Sequence, residues 1–533
     1  MSTQTENSKH LKCIVIILLA VMAVSILALI GISLTRANGV KSGTVVLEGT
    51  YTQESQYGLA PYRDVTALSA FDEDGTAVAF SAMRETPSVM LFWASWCPKC
   101  TIGFDSIVKL SETLKQQGVT LYLVNKTDGT LETLQKAKAY LNKHVIDTPA
   151  LYDDGLVAYK GLGLSKIPTV VVLNNQGRLI NYAEGFVPEV DMLLAMVQEA
   201  RAGKAATVQQ FIASNLLNDD GGVRTNYLDS ESDTPPSGGD VLSESQGLMM
   251  LSAAAMEERE LFDRLWDYTK SQSAGGSLCA WVTTKDGPSS VNAAIDDLRI
   301  YRALSAAQAR WGSYSKDIKL LAQGLYQYNT DGKNLYDFHD FSLNSTAQRL
   351  TLCYADFEAL EMLAQEDGKW RTIYKNSLEI VEKGKISADF PLYHSYYDYS
   401  TNTYVSDKLN MAEAMVTLLN LSRVSKLDPQ SLQWLRARLD EGAIYAQYST
   451  NGRPALEGRY ESTAVYALCA LIALSQDEPD MARQALSHLE ALKIRTSSSK
   501  LNGGFGNADG SGIYSFDQCM ALLAYQQMER FIQ

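Results

Sequence analysis

The chain opens on a short polar segment. From Cys13 to Leu34 it then runs through 22 apolar or small residues with no charge. A helix of that length spans about 33 Å at about 1.5 Å per residue, enough for a bilayer core. The pattern predicts a cytoplasmic tail over 1–12, a transmembrane helix over 13–34 and a linker over 35–59. A cleaved signal peptide is the alternative, but its apolar region is ordinarily about 7–15 residues and ends in a small-residue cleavage site, which this segment lacks. Lys9 and Lys12 precede the segment and Arg36 and Lys41 follow it, so flanking charge orients it weakly. Further on, Ser88-Val-Met-Leu-Phe-Trp-Ala-Ser95 reads as a buried strand, followed by a helix through Leu114 and a strand over Val119–Asn125. Two apolar runs, 169–174 and 178–185, flank Asn175-Gln176-Gly177 and predict a hairpin.

The pattern changes near residue 204. After polar loops at 219–222 and 229–240, the period becomes helical. Val465, Leu468, Cys469 and Ile472 fall at i, i+3, i+4 and i+7, as do Phe516, Cys519, Met520 and Leu523. About a dozen helical segments joined by long polar loops predict an all-α toroid or solenoid, and the lack of a fixed-period repeat disfavours the solenoid. On this reading Cys279, Cys353, Cys469 and Cys519 are core residues.

Composition narrows the function classes. A chain of 533 residues implies several domains, and 46% apolar with 20% charged residues excludes wholesale disorder. A net charge of −14 argues against a nucleic-acid partner, which requires a basic face. Seven Cys are too few for a disulfide scaffold, and five scattered His offer no metal site. Neither a metal nor a cofactor is expected.

The candidate chemistry starts at Trp96-Cys97-Pro98-Lys99-Cys100. A CxxC between a strand and a helix places Cys97 at a helix N-terminus, where backbone N–H groups and the macrodipole favour a thiolate. Lys99 acts in the same direction. Cys97 would attack a disulfide and Cys100 would resolve the mixed disulfide. Half of a zinc site is the alternative, but no second CxxC or HxxxH supplies the other ligands.

Phe92-Trp93-Ala94-Ser95-Trp96-Cys97-Pro98-Lys99-Cys100 resembles the active-site segment of membrane-tethered, extracytoplasmic thioredoxin-like proteins. Ile167-Pro168-Thr169 is similar to that family's cis-proline loop, which implies that Pro168 lies against the CxxC and holds substrate peptide. The resemblance covers about 140 residues and implies an α/β thioredoxin-like domain over 60–203. Many members carry a buried acid two residues before the first motif Trp; here that position is Leu91.

Residues 204–533 resemble glycoside hydrolase family 8, in its exopolysaccharide-hydrolase-like branch. Leu242-Ser243-Glu244-Ser245-Gln246-Gly247 is similar to the segment whose Glu is the general acid. Ala280-Trp281 resembles the tryptophan loop, Asp297-Leu298-Arg299-Ile300 the segment whose Asp lies at the cleavage subsite, and Cys353-Tyr354 the S-Y pair. The resemblance implies an (α/α)6 barrel that hydrolyses a β-linked polysaccharide by inversion, with Glu244 and Asp297 catalytic and Trp281 and Tyr354 binding sugar. Several positions depart from the pattern, Ser245 among them where the family has Gly. Ile295 and Arg299 replace acids, Asp296 is out of register, and Asn410 stands where many members have the base. Asn cannot accept a proton; Asp398 or Asp407, in the loop 393–408, could serve instead, or the base is gone and the domain only binds glycan. Asp337 and Asp340 read as solvated loop residues.

Two readings follow. One is a single-pass membrane protein, its bulk extracytoplasmic, that exchanges thiols and disulfides with protein clients and cleaves a polysaccharide. The other is the same redox module tethered to a degenerate, glycan-binding barrel. A membrane electron donor would supply the redox site, since the extracytoplasmic side lacks the cytosolic thioredoxin pool. The barrel cysteines are conceivable clients of that site.

Overall fold

Apolar side chains on both faces turn Ser88–Trp93 and Thr169–Leu173 into central strands, each buried at every position. The computed structural model describes residues 59–83, 86–146, 148–228 and 236–533. The expected tail, membrane segment and all but the end of the linker lie outside those residues. Among the described residues no helix is long and apolar enough to cross a membrane.

The first region is a seven-stranded sheet. Its strands are β1 (Ser69–Phe71), β2 (Ala77–Ala79), β3 (Ser88–Trp93), β4 (Thr120–Asn125), β5 (Ala150–Tyr152), β6 (Thr169–Leu173) and β7 (Leu179–Glu184), in the order β2-β1-β5-β4-β3-β6-β7. The central strands β3, β4 and β5 run parallel; β6 runs antiparallel to β3, and β7 turns back antiparallel to β6 as the expected hairpin. Its turn uses Gly177 at φ +74°, a conformation that suits glycine. Helices α1 (Pro98–Gln116), α2 (Leu134–Lys143), α3 (Val157–Gly161) and α4 (Val190–Ala202) cover the sheet.

The second region is built from twelve further helices. These are α5 (Lys204–Asn215), α6 (Ser243–Ala255), α7 (Arg259–Ser271), α8 (Ala294–Trp311), α9 (Ser315–Tyr328), α10 (Phe357–Glu366), α11 (Trp370–Lys383), α12 (Met411–Arg423), α13 (Pro429–Asp440), α14 (Thr463–Ser475), α15 (Pro479–Ala491) and α16 (Ser515–Phe531). The even-numbered helices from α6 to α16 form an inner ring: each packs on the next, and α16 returns to α6. The outer helices α7, α9, α11, α15 and α5 each back one of them, and α13 packs beside α15. Hydrophobicity sorts the two layers. In α14 every residue from Thr463 to Leu474 is buried, whereas α7 buries only Phe262, Leu265, Trp266 and Thr269. Gly247 of α6 lets α8 approach closely: a Cβ there would meet Arg299 and Ile300 at 3.2 Å.

The two regions share one core and a buried ionic cluster. Lys204 Nζ, fully buried, lies 3.0 Å from Glu199, 2.7 Å from Glu490 and 2.9 Å from Asn181 Oδ1. Lys493 pairs with Glu199 and Arg495 pairs with Glu490. Glu199 and Asn181 belong to the sheet region; the other four belong to the helical ring. Tyr62 donates to Glu529 at 2.8 Å, and Ser497 to Asp191 at 2.5 Å, across the same boundary.

Candidate active sites

Cys97 caps α1, accepting the Cys100 N–H at 3.2 Å, with Pro98 in the first turn where its missing N–H costs nothing. The two cysteines are joined as a disulfide. Cys97 is 5% exposed and Cys100 fully buried, beside an open Trp96. The Ile167–Pro168 peptide is cis, and the Ile167 carbonyl stands 3.8 Å from Cys97 Sγ, so the structure brings Pro168 to the CxxC. Leu91 is buried in β3, yet a buried acid stands by the motif. Glu132, before α2, accepts the Ser95 N–H at 2.9 Å, the Ser95 hydroxyl at 2.7 Å and the Asn125 amide at 2.8 Å. No local pattern announces Glu132, because its partners lie on β4 and in the loop after β3.

In the helical ring a cavity of about 560 Å³ opens at the N-terminal ends of the inner helices. Glu244 lines it from the first turn of α6, Asp296 and Arg299 from α8, Glu413 from α12 and Asp517 from α16. These ends carry partial positive charge, which favours acids there. Trp281, Cys353, Tyr354, Asn410, Tyr460 and Tyr514 complete the polar and aromatic wall. Burial, then Asp296, pushes the Glu244 carboxyl up to about 7, with Arg299 pulling the other way. Asp296 accepts from Arg299 at 2.7 Å on one oxygen and from the Ser243 hydroxyl at 2.7 Å on the other. Burial lifts Asp517 to about 6, against its bond from the Ala464 N–H.

Several expected positions change. Asp297, expected at the cleavage subsite, does not line the cavity. It is fully buried behind the wall, holding the Cys279 N–H at 2.9 Å and the Asn292 amide at 2.7 Å. Asp296, one residue earlier and rotated by about 100° on the helix, is the acid that reaches the cavity. Asp398 and Asp407 stay outside it. Asp398 closes a turn by accepting from Ser400 and Thr401, and Asp407 is exposed. Asn410 does line the cavity, but its side chain caps α12 through the Ala412 N–H at 2.9 Å. Asp337, expected in solvent, is 1% exposed and anchors Arg349 and Thr351. Asp340 holds a turn through Ser342. Asp296, Glu413 and Asp517 were not among the expected site residues. Their only sequence signal is position in the first turn of an inner helix. Among the described residues no cluster of His, Cys, Asp and Glu is arranged to hold a metal ion.

Comparison with known proteins agrees with the division in the fold. The Redoxin family matches residues 59–197 and Glycosyl hydrolases family 8 matches residues 193–330. YdaJ of Bacillus subtilis (strain 168), whose name marks it as a lipoprotein candidate, is 26% identical over 344 residues, which is 63% of this chain and 91% of YdaJ. The thiol-disulfide oxidoreductase ResA of Halalkalibacterium halodurans is 25% identical over 118 residues, covering 22% of this chain and 65% of ResA. A solved structure from Clostridium perfringens, titled a novel alpha-amylase, is 32% identical with a TM-score of 0.57, covering 61% of this chain and 97% of that one.

Proposed function

The chain joins a member of the redoxin family, in its N-terminal half, to a member of glycosyl hydrolases family 8, in its C-terminal half, and from that premise we propose a cell-envelope enzyme with two active sites. The first is a thiol–disulfide oxidoreductase. In the reduced form the Cys97 thiolate attacks a client disulfide and releases one client thiolate. Cys100 then attacks the mixed disulfide, releases the second client thiolate and leaves Cys97 and Cys100 oxidised. The solvent contact of Cys97 and the burial of Cys100 support this division of roles. Pro168 and the exposed Trp96 flank the sulfur where a client chain would lie. A membrane donor of reducing equivalents would complete the cycle.

The second site hydrolyses a polysaccharide in the barrel cavity. Glu244 carries this reading: it sits on the cavity wall with its carboxyl held near 7, so it is available protonated to give its proton to the leaving glycosidic oxygen. Asp296, fixed by Arg299 and Ser243, would steady charge and orient the sugar. Trp281 and Tyr354 offer ring faces and a hydroxyl to the glycan. The sequence pattern favours a β-linked polymer cleaved with inversion. The 32% identical relative, titled an alpha-amylase, favours an α-linked glucan, and we place that linkage first. Attachment to the membrane through residues 13–34 fits the lipoprotein-type name of YdaJ.

Asn410 favours one other reading, a barrel that binds glycan without cleaving it. Release of reducing ends from starch, glycogen, β-glucans, xylan and chitosan by the full chain separates the two. Release that disappears in Glu244→Gln supports hydrolysis; binding without release supports the second reading.

A further inference from the structure

Hydrolysis with a protonated acid at one face of the sugar needs a carboxylate to activate water at the other. The two acids expected to do this lie outside the cavity, and Asn410 is occupied as a helix cap. Of the four acids that do line the cavity, Asp296 has both oxygens bonded, and Asp517 accepts the Ala464 N–H at 2.8 Å. Glu413 is different. It stands in the first turn of α12, is exposed to the cavity, and its carboxylate accepts no hydrogen bond among the described residues, Thr417 bonding only its backbone carbonyl. In the ring of six inner helices, α6 and α12 are three places apart in either direction, so Glu244 and Glu413 approach the cavity from opposite walls.

We propose that Glu413 is the general base of the glycosidase, paired across the cavity with Glu244 as the acid. This rests on the hydrolytic reading above. A water on the Glu413 side attacks the anomeric carbon while Glu413 takes its proton. The bond from that carbon to the glycosidic oxygen breaks, its electron pair leaves with the oxygen, and Glu244 supplies that oxygen with a proton. One water is consumed and the product hemiacetal has the inverted configuration. Glu413 is near enough to Glu244 for its charge to help raise the Glu244 carboxyl; burial raises Glu413 itself, and Arg349 offsets that effect. Glu413→Gln breaks no side-chain hydrogen bond or ion pair of the described residues.

The test measures kcat and KM of the full chain on soluble starch and barley β-glucan, and on 2,4-dinitrophenyl maltotrioside and cellotrioside, for wild type, Glu413→Gln and Glu244→Gln. General acid and base groups contribute about 10²–10⁴-fold. Glu413→Gln is expected to lose at least about 10²-fold in kcat on every substrate, with KM changed by no more than a few fold. Sodium azide restores its turnover as a glycosyl azide of inverted configuration. Glu244→Gln instead recovers on the dinitrophenyl substrates, whose leaving group needs no proton, and gains nothing from azide. Glu413→Gln within about threefold of wild type, with Glu244→Gln inactive on starch, would overturn the assignment of Glu413 while leaving the glycosidase intact. A folded wild type that cleaves none of the substrates would overturn both.

Discussion

Removing Glu199 tests whether the redox and helical regions hold together as one unit. In Glu199→Gln the buried cations Lys204, Lys493 and Arg495 share a single remaining carboxylate, Glu490. Lys204 keeps Asn181 and Glu490 at 2.9 and 2.7 Å, but Lys493 loses the one carboxylate it pairs with among the described residues. At 3.0 Å and an effective dielectric near 20, one such pair is worth about 5 kcal/mol before desolvation. Breaking a buried pair by deleting one partner costs about 3–5 kcal/mol, because the other charge stays buried. At about 2 °C per kcal/mol for a large domain, the melting temperature should fall by about 6–10 °C. Differential scanning calorimetry of the full chain reads this directly. Adding Lys493→Met should return most of the loss, since an apolar side chain needs no partner there. A Glu199→Gln shift below about 2 °C, or no recovery in the double variant, would refute the reasoning.

Other consequences follow from the same structure. Burial pushes Glu199 and Glu490 up, and Lys204 and Lys493 outweigh it and hold both below the ordinary value of 4.5. The ionic cluster is therefore at full strength above pH 4.5 and is lost as pH falls through the lowered values, so an acid scan of unfolding should show the loss below that pH. Asp297 and Asp517, raised by burial to about 7 and about 6, act with the opposite sign and remove stability as pH rises from about 4 to 7. Glu244 must be protonated to act, so the pH profile of glycan cleavage should fall above about pH 7. Cys100→Ser should accumulate mixed disulfides with clients and Cys97→Ser should form none, as gel mobility with and without reductant will report. The barrel cysteines are buried, with Cys469 pushed up to about 12 by burial. Thiol labelling of native wild type and Cys97→Ser should be equally low, which would end the idea that they are clients of the redox site.

Much of the architecture was legible in the chain because it is local. The strands expected at 88–95, 119–125 and 169–185 are observed at 88–93, 120–125, 169–173 and 179–184. The stripes at 465–472 and 516–523 lie on α14 and α16. The sites were legible only where a motif fixes geometry, as CxxC and the proline loop do. Asp296 and Asp297 are adjacent, and which of them faces the cavity depends on the rotation of α8, which the sequence alone does not set. Asp398 and Asp407 lie in a loop whose path is decided by pairing with 349–351 and 447–449. The ionic cluster joins residues 294 positions apart, and no window of sequence contains both.

The central claim is that one chain carries two separate chemistries. A single preparation each of wild type, Glu244→Gln and Cys97→Ser, assayed in parallel for reducing ends from starch and for reduction of a protein disulfide, tests it directly. Glu244→Gln is expected to lose sugar release and keep disulfide reduction, and Cys97→Ser to do the reverse. Sugar release that persists in Glu244→Gln, or a folded wild type that releases none from any glucan, would contradict it.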